Sequence, residues 1–138
     1  MNEMPDWINI PKDINDHYGF VYLITNKINN RKYIGKKFFW FKKTRPPLKG
    51  KKKKRHSLVE SDWKVYWGSS YKLLEDIEEL GYENFTREIL YLEANKRDLA
   101  YREAELQFST GALLTQEYYN GIINLRISYP VKASKDLK

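Results

Sequence analysis

The pattern of apolar and polar residues predicts a pair of strands near the start of the chain. Residues 19–25 are rich in β-branched and aromatic side chains, and three asparagines that favour turns follow within the next five residues. Residues 31–36 then predict a return strand. A third strand is predicted over residues 85–92, which are again rich in residues that favour strands. Together these segments predict a small, mainly antiparallel three-stranded sheet.

Helical spacing of apolar residues predicts three helices around this sheet. The first is a short amphipathic helix over residues 58–67. The second follows Ser69 and Ser70, which offer a side-chain cap, and closes at Gly81. The third covers roughly residues 96–108, with Asn95 or Asp98 as its cap. The order strand, strand, helix, helix, strand, helix predicts a single α/β domain in which the sheet is flanked by helices.

The chain divides into three predicted parts. Residues 1–17 hold two prolines and no clear period, and we expect an arm that packs over the body. Residues 18–127 form the predicted domain, with a last extended piece over residues 121–127. Residues 128–138 are polar and predict a frayed tail.

Length and composition narrow the class of protein. The chain has 138 residues, which suits one domain with one core. It has no cysteine, so disulfides and thiolate metal sites are excluded. No apolar run approaches the roughly 20 residues needed to cross a bilayer, and residues 1–10 carry no basic region followed by a long apolar stretch. We therefore expect a soluble, cytoplasmic protein with no membrane partner.

Basic residues are concentrated in one part of the chain. The net charge is +7, yet residues 17–59 contain fourteen Lys or Arg and no Asp or Glu. The remainder of the chain is net acidic. Such segregation produces a positive field on one side of a protein, which is the footprint of a polyanion partner.

The most basic stretch, about residues 38–57, is predicted to be a long insertion loop. Residues 42–55 hold nine Lys or Arg together with two prolines and a glycine, and this composition cannot bury itself. We expect an extended, mobile loop that becomes ordered on a phosphate backbone. The aromatic residues 38–41 would either stack on exposed bases or anchor the loop to the core. The side chains expected to contact phosphates are Lys36, Lys37, Lys42, Lys43, Lys51, Lys52, Lys53 and Lys54.

Two tyrosines, Tyr22 and Tyr33, stand eleven residues apart in the predicted hairpin, which would bring both phenols together. The tripeptide Phe-Val-Tyr that ends at Tyr22 and the tripeptide Tyr-Ile-Gly that begins at Tyr33 resemble the signature of the GIY-YIG endonuclease family. Phe20 stands where that family usually has a glycine, and the nearest glycine, Gly19, is one position early. The order of predicted elements over roughly residues 18–124 is also similar to the catalytic core of the family.

This resemblance implies an endonuclease that depends on Mg²⁺ (or Mn²⁺) and hydrolyses DNA phosphodiester bonds, leaving a 5′-phosphate and a 3′-hydroxyl. Such hydrolysis needs an activated water and a cation that faces the phosphoryl oxygens. The resemblance implies that Tyr22 orients or deprotonates the water and that Tyr33 bonds the phosphate or the water network. Because an unperturbed phenol with a pKa of ~10 is a poor base at neutral pH, Lys36 or Lys37 would have to favour the phenolate.

The family carries its metal-binding glutamate on the third helix, three residues before an aromatic residue and about fifteen before an asparagine. Glu105 fits this spacing, because Phe108 and Asn120 follow at those intervals. Glu103 is the alternative, since both glutamates border the apolar stripe of the helix. Asn120 would support the site through a hydrogen bond, with Asn124 as the alternative.

The family also carries an arginine on the helix that follows the second tyrosine, where the guanidinium clamps the scissile phosphate. Counting back from the predicted helix start selects Arg55, with His56 beside it as a candidate for proton transfer. Counting forward from Gly35 falls near Lys43 and Arg45. We therefore predict Arg55, with Arg45 as the alternate.

Two other functions are open at this point. The first is a nucleic-acid-binding module that keeps the fold and has lost catalysis, which the glycine-to-Phe20 departure and the unassigned arginine suggest, and the second is a basic protein associated with RNA. Because no second recognition domain is predicted, recognition would come from the insertion, the arm or a second subunit. A homodimer or higher homo-oligomer would allow two nicks to become a double-strand break.

Overall fold

The computed structural model describes residues 4–121. Within this range the chain forms five strands and two α-helices, together with three short 3-10 helices. In chain order they are β1 (Gly19–Asn26), β2 (Lys32–Phe38), β3 (Trp40–Arg45), β4 (Arg55–Glu60), α1 (Tyr71–Leu80), β5 (Phe85–Glu93) and α2 (Lys96–Ser109). The predicted piece over residues 121–127 beyond its first residue, the predicted tail and Asn124 lie outside the described residues.

The main sheet has three antiparallel strands, as predicted, and their order is β2-β1-β5. In its register Tyr22 pairs with Gly35, and Ile24 pairs with Tyr33. Tyr22 and Tyr33 are therefore diagonal neighbours on one face of the hairpin, where side chains of adjacent strands contact each other. Their ring centroids are 6.1 Å apart.

A second sheet occupies the stretch that was predicted to be a loop. Strands β3 and β4 pair antiparallel from Trp40 opposite Glu60 to Arg45 opposite Arg55. The expectation of a structureless loop is therefore wrong for both strands. The helix predicted over residues 58–67 is also wrong, because residues 58–60 belong to β4 and only Trp63–Val65 form a 3-10 turn. Strand pairing determines this structure. The spacing of apolar residues within one segment does not show which strands pair.

The two α-helices confirm the predicted capping signals. Ser70 caps α1, with its hydroxyl oxygen accepting a hydrogen bond from the Leu73 backbone N–H at 3.3 Å. The helix ends at Gly81, which has a φ of +91°. Asn95 caps α2 in the same way, accepting from the Asp98 N–H at 2.8 Å.

The core lies on both faces of the main sheet. Alternation along β1 sends Phe20, Tyr22 and Ile24 into the larger cluster, which α1 covers with Leu73 and Ile77. The opposite face packs against α2 in a smaller cluster of Val21, Ile34, Leu99 and Ala112. The sheet is therefore a layer between two helices, which confirms the predicted α/β architecture.

The amino-terminal segment packs across β5. The Ile8 N–H donates to the Arg87 carbonyl at 2.7 Å, and the Ile89 N–H donates to the Ile8 carbonyl at 2.9 Å. Trp7 is buried in the larger cluster, and its indole N–H donates to the Trp63 carbonyl at 2.8 Å. The segment therefore closes the core from the side opposite the β2 edge of the sheet.

Arg87 on β5 joins this segment to the loop before α1. Its buried guanidinium donates to the carbonyls of Lys64, Tyr66 and Pro5 at 3.1, 2.8 and 2.5 Å. The guanidinium also lies between the rings of Trp7 and Trp67, 4.6 and 4.2 Å from their centroids. These contacts fix the loop that carries Tyr66.

Candidate active site

An open cleft lies at the β2 edge of the main sheet. Two tyrosines from β1 and β2, two lysines from β2 and one glutamate from α2 contribute to it. The lining residues are Tyr22, Tyr33, Lys36, Lys37, Phe38, Phe41, Tyr66, Ser69, Glu103 and Gln107. The cleft thus brings the two predicted tyrosines together with one carboxylate and two cationic side chains.

Two glycines make room for the phenol of Tyr22. A Cβ atom on Gly35, the cross-strand partner of Tyr22, would collide with the phenol oxygen and lie 2.5 Å from the ring carbon that bears it. Gly68 has a φ of +89°, and a Cβ there would lie 3.3 Å from the same oxygen and 3.2 Å from the ring of Tyr33. Close backbone approach of this kind requires glycine. The phenol of Tyr22 is therefore held in one place, with 1% of the residue exposed.

Burial keeps both phenols protonated. Burial raises the pKa of Tyr22 well above 10.0, and the neighbouring Tyr33 raises it further. Burial also raises the pKa of Tyr33, although its hydrogen bond with Ser69 opposes this shift. Two neutral phenols are good hydrogen-bond donors and poor bases. The electrostatics therefore favour the orienting role for Tyr22 over removal of a proton from water.

Glu103 is the carboxylate that α2 places in the cleft. Its side chain is 13% exposed, and the Lys36 ammonium lies 3.1 Å from its Oε1. Burial raises the pKa of Glu103, while Lys36 acts in the opposite direction. A carboxylate beside one lysine and two phenols at an open cleft has the chemistry of a ligand for a hard cation.

Glu105, which the spacing argument selected, lies outside the cleft. Its Oε1 accepts a hydrogen bond from Arg102 at 2.7 Å, and its side chain is 47% exposed. Residues two apart on an α-helix point about 200° apart, so only one of the two glutamates can face the sheet. This corrects the position expected for the carboxylate. The signal that finds Glu103 is its spacing of four residues from the buried Leu99 and Gln107.

The predicted arginine is also absent from the cleft. Arg55 begins β4 opposite Arg45 at the outer end of the second sheet, where its Nε donates to the Pro46 carbonyl at 3.3 Å. His56 follows, 3.2 Å from the Thr44 hydroxyl through its Nδ1. Among the residues that the structure describes, the cations that line the cleft are lysines rather than arginines. The counts failed because the inserted strands move both candidates away from the hairpin.

Lys37 borders the mouth of the cleft. Its ammonium lies 2.6 Å from an Asp62 carboxylate oxygen and 4.0 Å from the centre of the Tyr66 ring. The Phe41 ring centre is 5.0 Å away. Phe41 is therefore the point at which the second sheet meets the cleft.

Asn120 supports β2 from outside the cleft. Its side-chain oxygen accepts from the Ile34 N–H at 2.9 Å, and its side-chain nitrogen donates to the Ile34 carbonyl at 2.7 Å. The preceding Tyr119 donates to Asp76 at 2.7 Å and accepts from Asn26 at 3.0 Å, which fixes this segment to the body. Asn120 thus satisfies both backbone groups of Ile34, the residue that follows Tyr33 on the edge strand β2.

Three cleft residues were not assigned a role from the sequence. Tyr66 lies in the segment that the sequence predicts to be a helix, but it lines the cleft. Its ring centre lies 6.1 Å from that of Tyr22. Ser69 was read as a possible cap, but its hydroxyl lies 3.2 Å from the Tyr33 phenol oxygen. One serine suffices to cap a helix, so the second serine was an available signal. Gln107 lines the cleft and donates to the Ile34 carbonyl at 3.3 Å.

A three-stranded antiparallel sheet that presents two tyrosines and a helical glutamate to one lysine-lined cleft is the kind of domain expected from the tyrosine motif. Residues 5–123 match the family model described as "Putative endonuclease segE, GIY-YIG domain". Because this match covers most of the chain, the protein belongs to the GIY-YIG endonuclease family.

A nuclease domain of this family acts on a nucleic acid. Comparison with curated proteins and with solved structures gave no match. Within residues 4–121 there is no helix with the length and apolar character required to span a membrane.

Proposed function

We propose that this protein is a metal-dependent DNA endonuclease whose active site is the cleft formed by Tyr22, Tyr33 and Glu103. The observation that carries the proposal is the convergence of two phenols and one largely buried carboxylate in a lysine-lined cleft. This set of groups suits a phosphodiester, because it combines donors, cations and one site for a hard metal ion.

The carboxylate of Glu103 would hold the cation, Mg²⁺ or Mn²⁺. Within residues 4–121 no group of three or more His, Cys, Asp or Glu side chains is placed to hold a metal ion. A single carboxylate completed by water and a substrate phosphate is a usual way in which Mg²⁺ is bound. Glu103 suits this role because it is mostly buried and yet faces the open cleft. When bound, the cation supplies positive charge against the phosphoryl oxygens and a water of lowered pKa.

The tyrosines and lysines would act directly on the substrate. Tyr33, which already bonds Ser69, donates its phenol hydrogen to a phosphate oxygen or to the attacking water. Tyr22 orients the same water network from its fixed position between two glycines. Lys36 and Lys37 supply the positive charge that the family draws from an arginine, but as point charges rather than as a planar clamp.

The comparison of two glutamates on one helix tests this proposal. Supercoiled plasmid is incubated with Mg²⁺ and wild-type protein, Glu103→Gln or Glu105→Gln. Both substitutions remove one negative charge from α2 and conserve shape. We expect Glu103→Gln to lose at least about 100-fold in cleavage rate, as for other groups that stabilise a transition state, and Glu105→Gln to cut like the wild type. Normal cleavage by Glu103→Gln would overturn the assignment.

One feature that suggested an inactive binding module is Phe20, which replaces the usual glycine of the motif. Phe20 is fully buried in the core, where its ring centre lies 5.0 Å from that of Trp7 and 4.8 Å from that of Phe39. It does not line the cleft, so the substitution leaves the tyrosines and Glu103 in place.

A further inference from the structure

We propose that the second sheet, with the loop that joins its strands, is a DNA-binding ribbon that enters the major groove of duplex DNA through one of its two faces. We call residues 40–60 the ribbon. The proposal rests on the proposed function for the identity of the nucleic acid as DNA. Three features of the ribbon support this proposal: its anchoring, the side chains on each of its faces, and its charge.

The ribbon projects from the body but is anchored at its root. Phe39, immediately before β3, is fully buried, and its N–H donates to the Tyr18 carbonyl at 3.0 Å. Immediately after β4, the Ser61 N–H donates to the Phe39 carbonyl at 2.7 Å. Beyond this root nearly every residue of β3 and β4 is exposed. An isolated two-stranded ribbon is marginally stable by itself, so a projecting one suits a partner that completes its packing.

The two faces of the ribbon differ in position. Side chains alternate along each strand, and paired residues share a face. The face that begins at the cleft carries Phe41, Lys43, Arg45, Arg55, Ser57 and Val59, and we call it the cleft face. The far face carries Trp40, Lys42, Thr44, His56, Leu58 and Glu60. A DNA backbone with one phosphate in the cleft would therefore continue along the cleft face and not along the far face.

Among residues 4–121 no acidic side chain pairs with the basic residues of the cleft face. Lys43, Arg45 and Arg55 lie on it, and the loop beyond adds Lys49 and residues 51–54, all lysines. Arg45 and Arg55 pair directly across the ladder, where like charges destabilise a sheet. Within the described part of the chain neither arginine forms a salt bridge. A polyanion would relieve this repulsion.

The dimensions of the ribbon fit one groove of DNA. The six pairs of β3 and β4 extend about 17 Å from root to end at about 3.4 Å per residue. The major groove of B-form DNA is about 12 Å wide and about 8.5 Å deep, and it admits a two-stranded ribbon, whereas the minor groove is about 6 Å wide. The major groove of duplex RNA is too narrow for side chains to read. The occupant that fits is therefore duplex DNA.

Two neighbouring substitutions test which face binds. Val59 on the cleft face and Leu58 on the far face are both exposed apolar residues of β4, with 36% and 66% exposure. Affinity for a short DNA duplex is measured with the metal ion removed by a chelator, so that cleavage plays no part. We expect Val59→Glu to weaken binding about tenfold or more through repulsion of phosphates, and Leu58→Glu to change it less than about twofold. Equal effects would overturn the proposal.

A second variant isolates the phosphate contacts and does not depend on the added glutamate. The triple substitution Lys43→Gln, Arg45→Gln and Arg55→Gln removes three cations and the Arg–Arg repulsion, so the ribbon should remain folded. If all three contact phosphates, the slope of log affinity against log salt concentration becomes shallower by about 2.7, at about 0.9 per phosphate. An unchanged slope would overturn the proposal.

The groove is tested by dimethyl sulfate, which methylates guanine N7 in the major groove. We expect the protein to protect guanine N7, and the triple variant to lose this protection. Protection confined to adenine N3 in the minor groove, or equal competition by duplex RNA at matched salt, would contradict the choice of groove and partner.

Binding through the cleft face without any cleavage in Mg²⁺ would remove the proposed function and keep the ribbon. Cleavage with equal effects of Val59→Glu and Leu58→Glu would do the reverse.

Discussion

Adding one methyl group at Gly35 should disturb the active site more than any exposed substitution nearby. An alanine Cβ at this position would collide with the phenol oxygen of Tyr22. The ring has little room to retreat, because Tyr22 is fully buried and its centroid lies 5.3 Å from Trp7 and 6.1 Å from Tyr33. Forcing extra atoms into a packed interior costs about 1–3 kcal/mol, and we expect Gly35→Ala to lower the free energy of unfolding by that amount.

The same displacement should reduce cleavage. A shift of about 1 Å in a positioned group costs about 100-fold in rate, so Gly35→Ala should be nearly inactive under conditions where it remains folded. Urea denaturation measures the stability, and plasmid cleavage in Mg²⁺ measures the rate. Gly121→Ala is the control, because a Cβ at Gly121 meets no atom of residues 4–121 within 4 Å.

A double-mutant cycle identifies the cause of the loss. Tyr22→Phe removes the phenol oxygen, which is the atom closest to the added methyl group. Gly35→Ala should therefore cost at least about 0.5 kcal/mol less in the Tyr22→Phe background than in the wild type. If Gly35→Ala matches Gly121→Ala in stability and rate, the phenol is not held as the structure indicates, and the orienting role of Tyr22 fails with it.

Four further outcomes follow from the same contacts. Arg87→Met loses three main-chain hydrogen bonds from a charged donor and should destabilise the fold by at least about 3 kcal/mol in urea denaturation. Asn120→Ala loses both bonds to β2 and should cost about 2 kcal/mol, while Asn120→Asp, which keeps the acceptor, should fall between it and the wild type. At subsaturating Mg²⁺, where the metal-free carboxyl titrates, cleavage should fall as pH falls through the raised pKa of Glu103, and Lys36→Gln should move this acid limb to higher pH because Lys36 opposes the shift; an unmoved limb would contradict the pairing. The raised pKa of Tyr22 gives stability that is present below pH 10.0, the unfolded value, and is lost as pH rises from there toward the folded pKa, so Tyr22→Phe should flatten the fall in stability above about pH 10.

Local signals predicted the parts of the fold whose structure depends on local chemistry. Ser70 and Asn95 cap their helices because a side-chain oxygen meets a nearby N–H, and both caps are visible in the sequence. The strands of the main sheet could be predicted because their β-forming residues are bounded by turns. The ribbon could not be predicted, because neither strand shows an alternation of buried and exposed residues. Its lysines and arginines therefore resemble a disordered run.

The choice between two glutamates required information that the sequence lacks. Spacing to Phe108 and Asn120 measures distance along the chain, whereas access to the cleft depends on the rotation of α2 against the sheet. That rotation is set by Leu99 and other residues of the smaller cluster. The arginine counts failed for a related reason, because the number of residues in an insertion does not show where its paired strands place an arginine in space.

The whole site depends on the register of β2. This edge strand supplies groups to the cleft from both of its faces, because Tyr33 packs with the larger cluster while Lys36 bonds Glu103 on the side of α2. A slip of one residue would exchange the faces and separate the phenols from the carboxylate. Register is specified less strongly in a strand that contains glycine, and β2 contains Gly35. Asn120 prevents this by bonding both backbone groups of Ile34, and Gln107 adds a second donor to the same carbonyl. We therefore expect Asn120 to affect cleavage through the strand that it holds, without contact with the substrate.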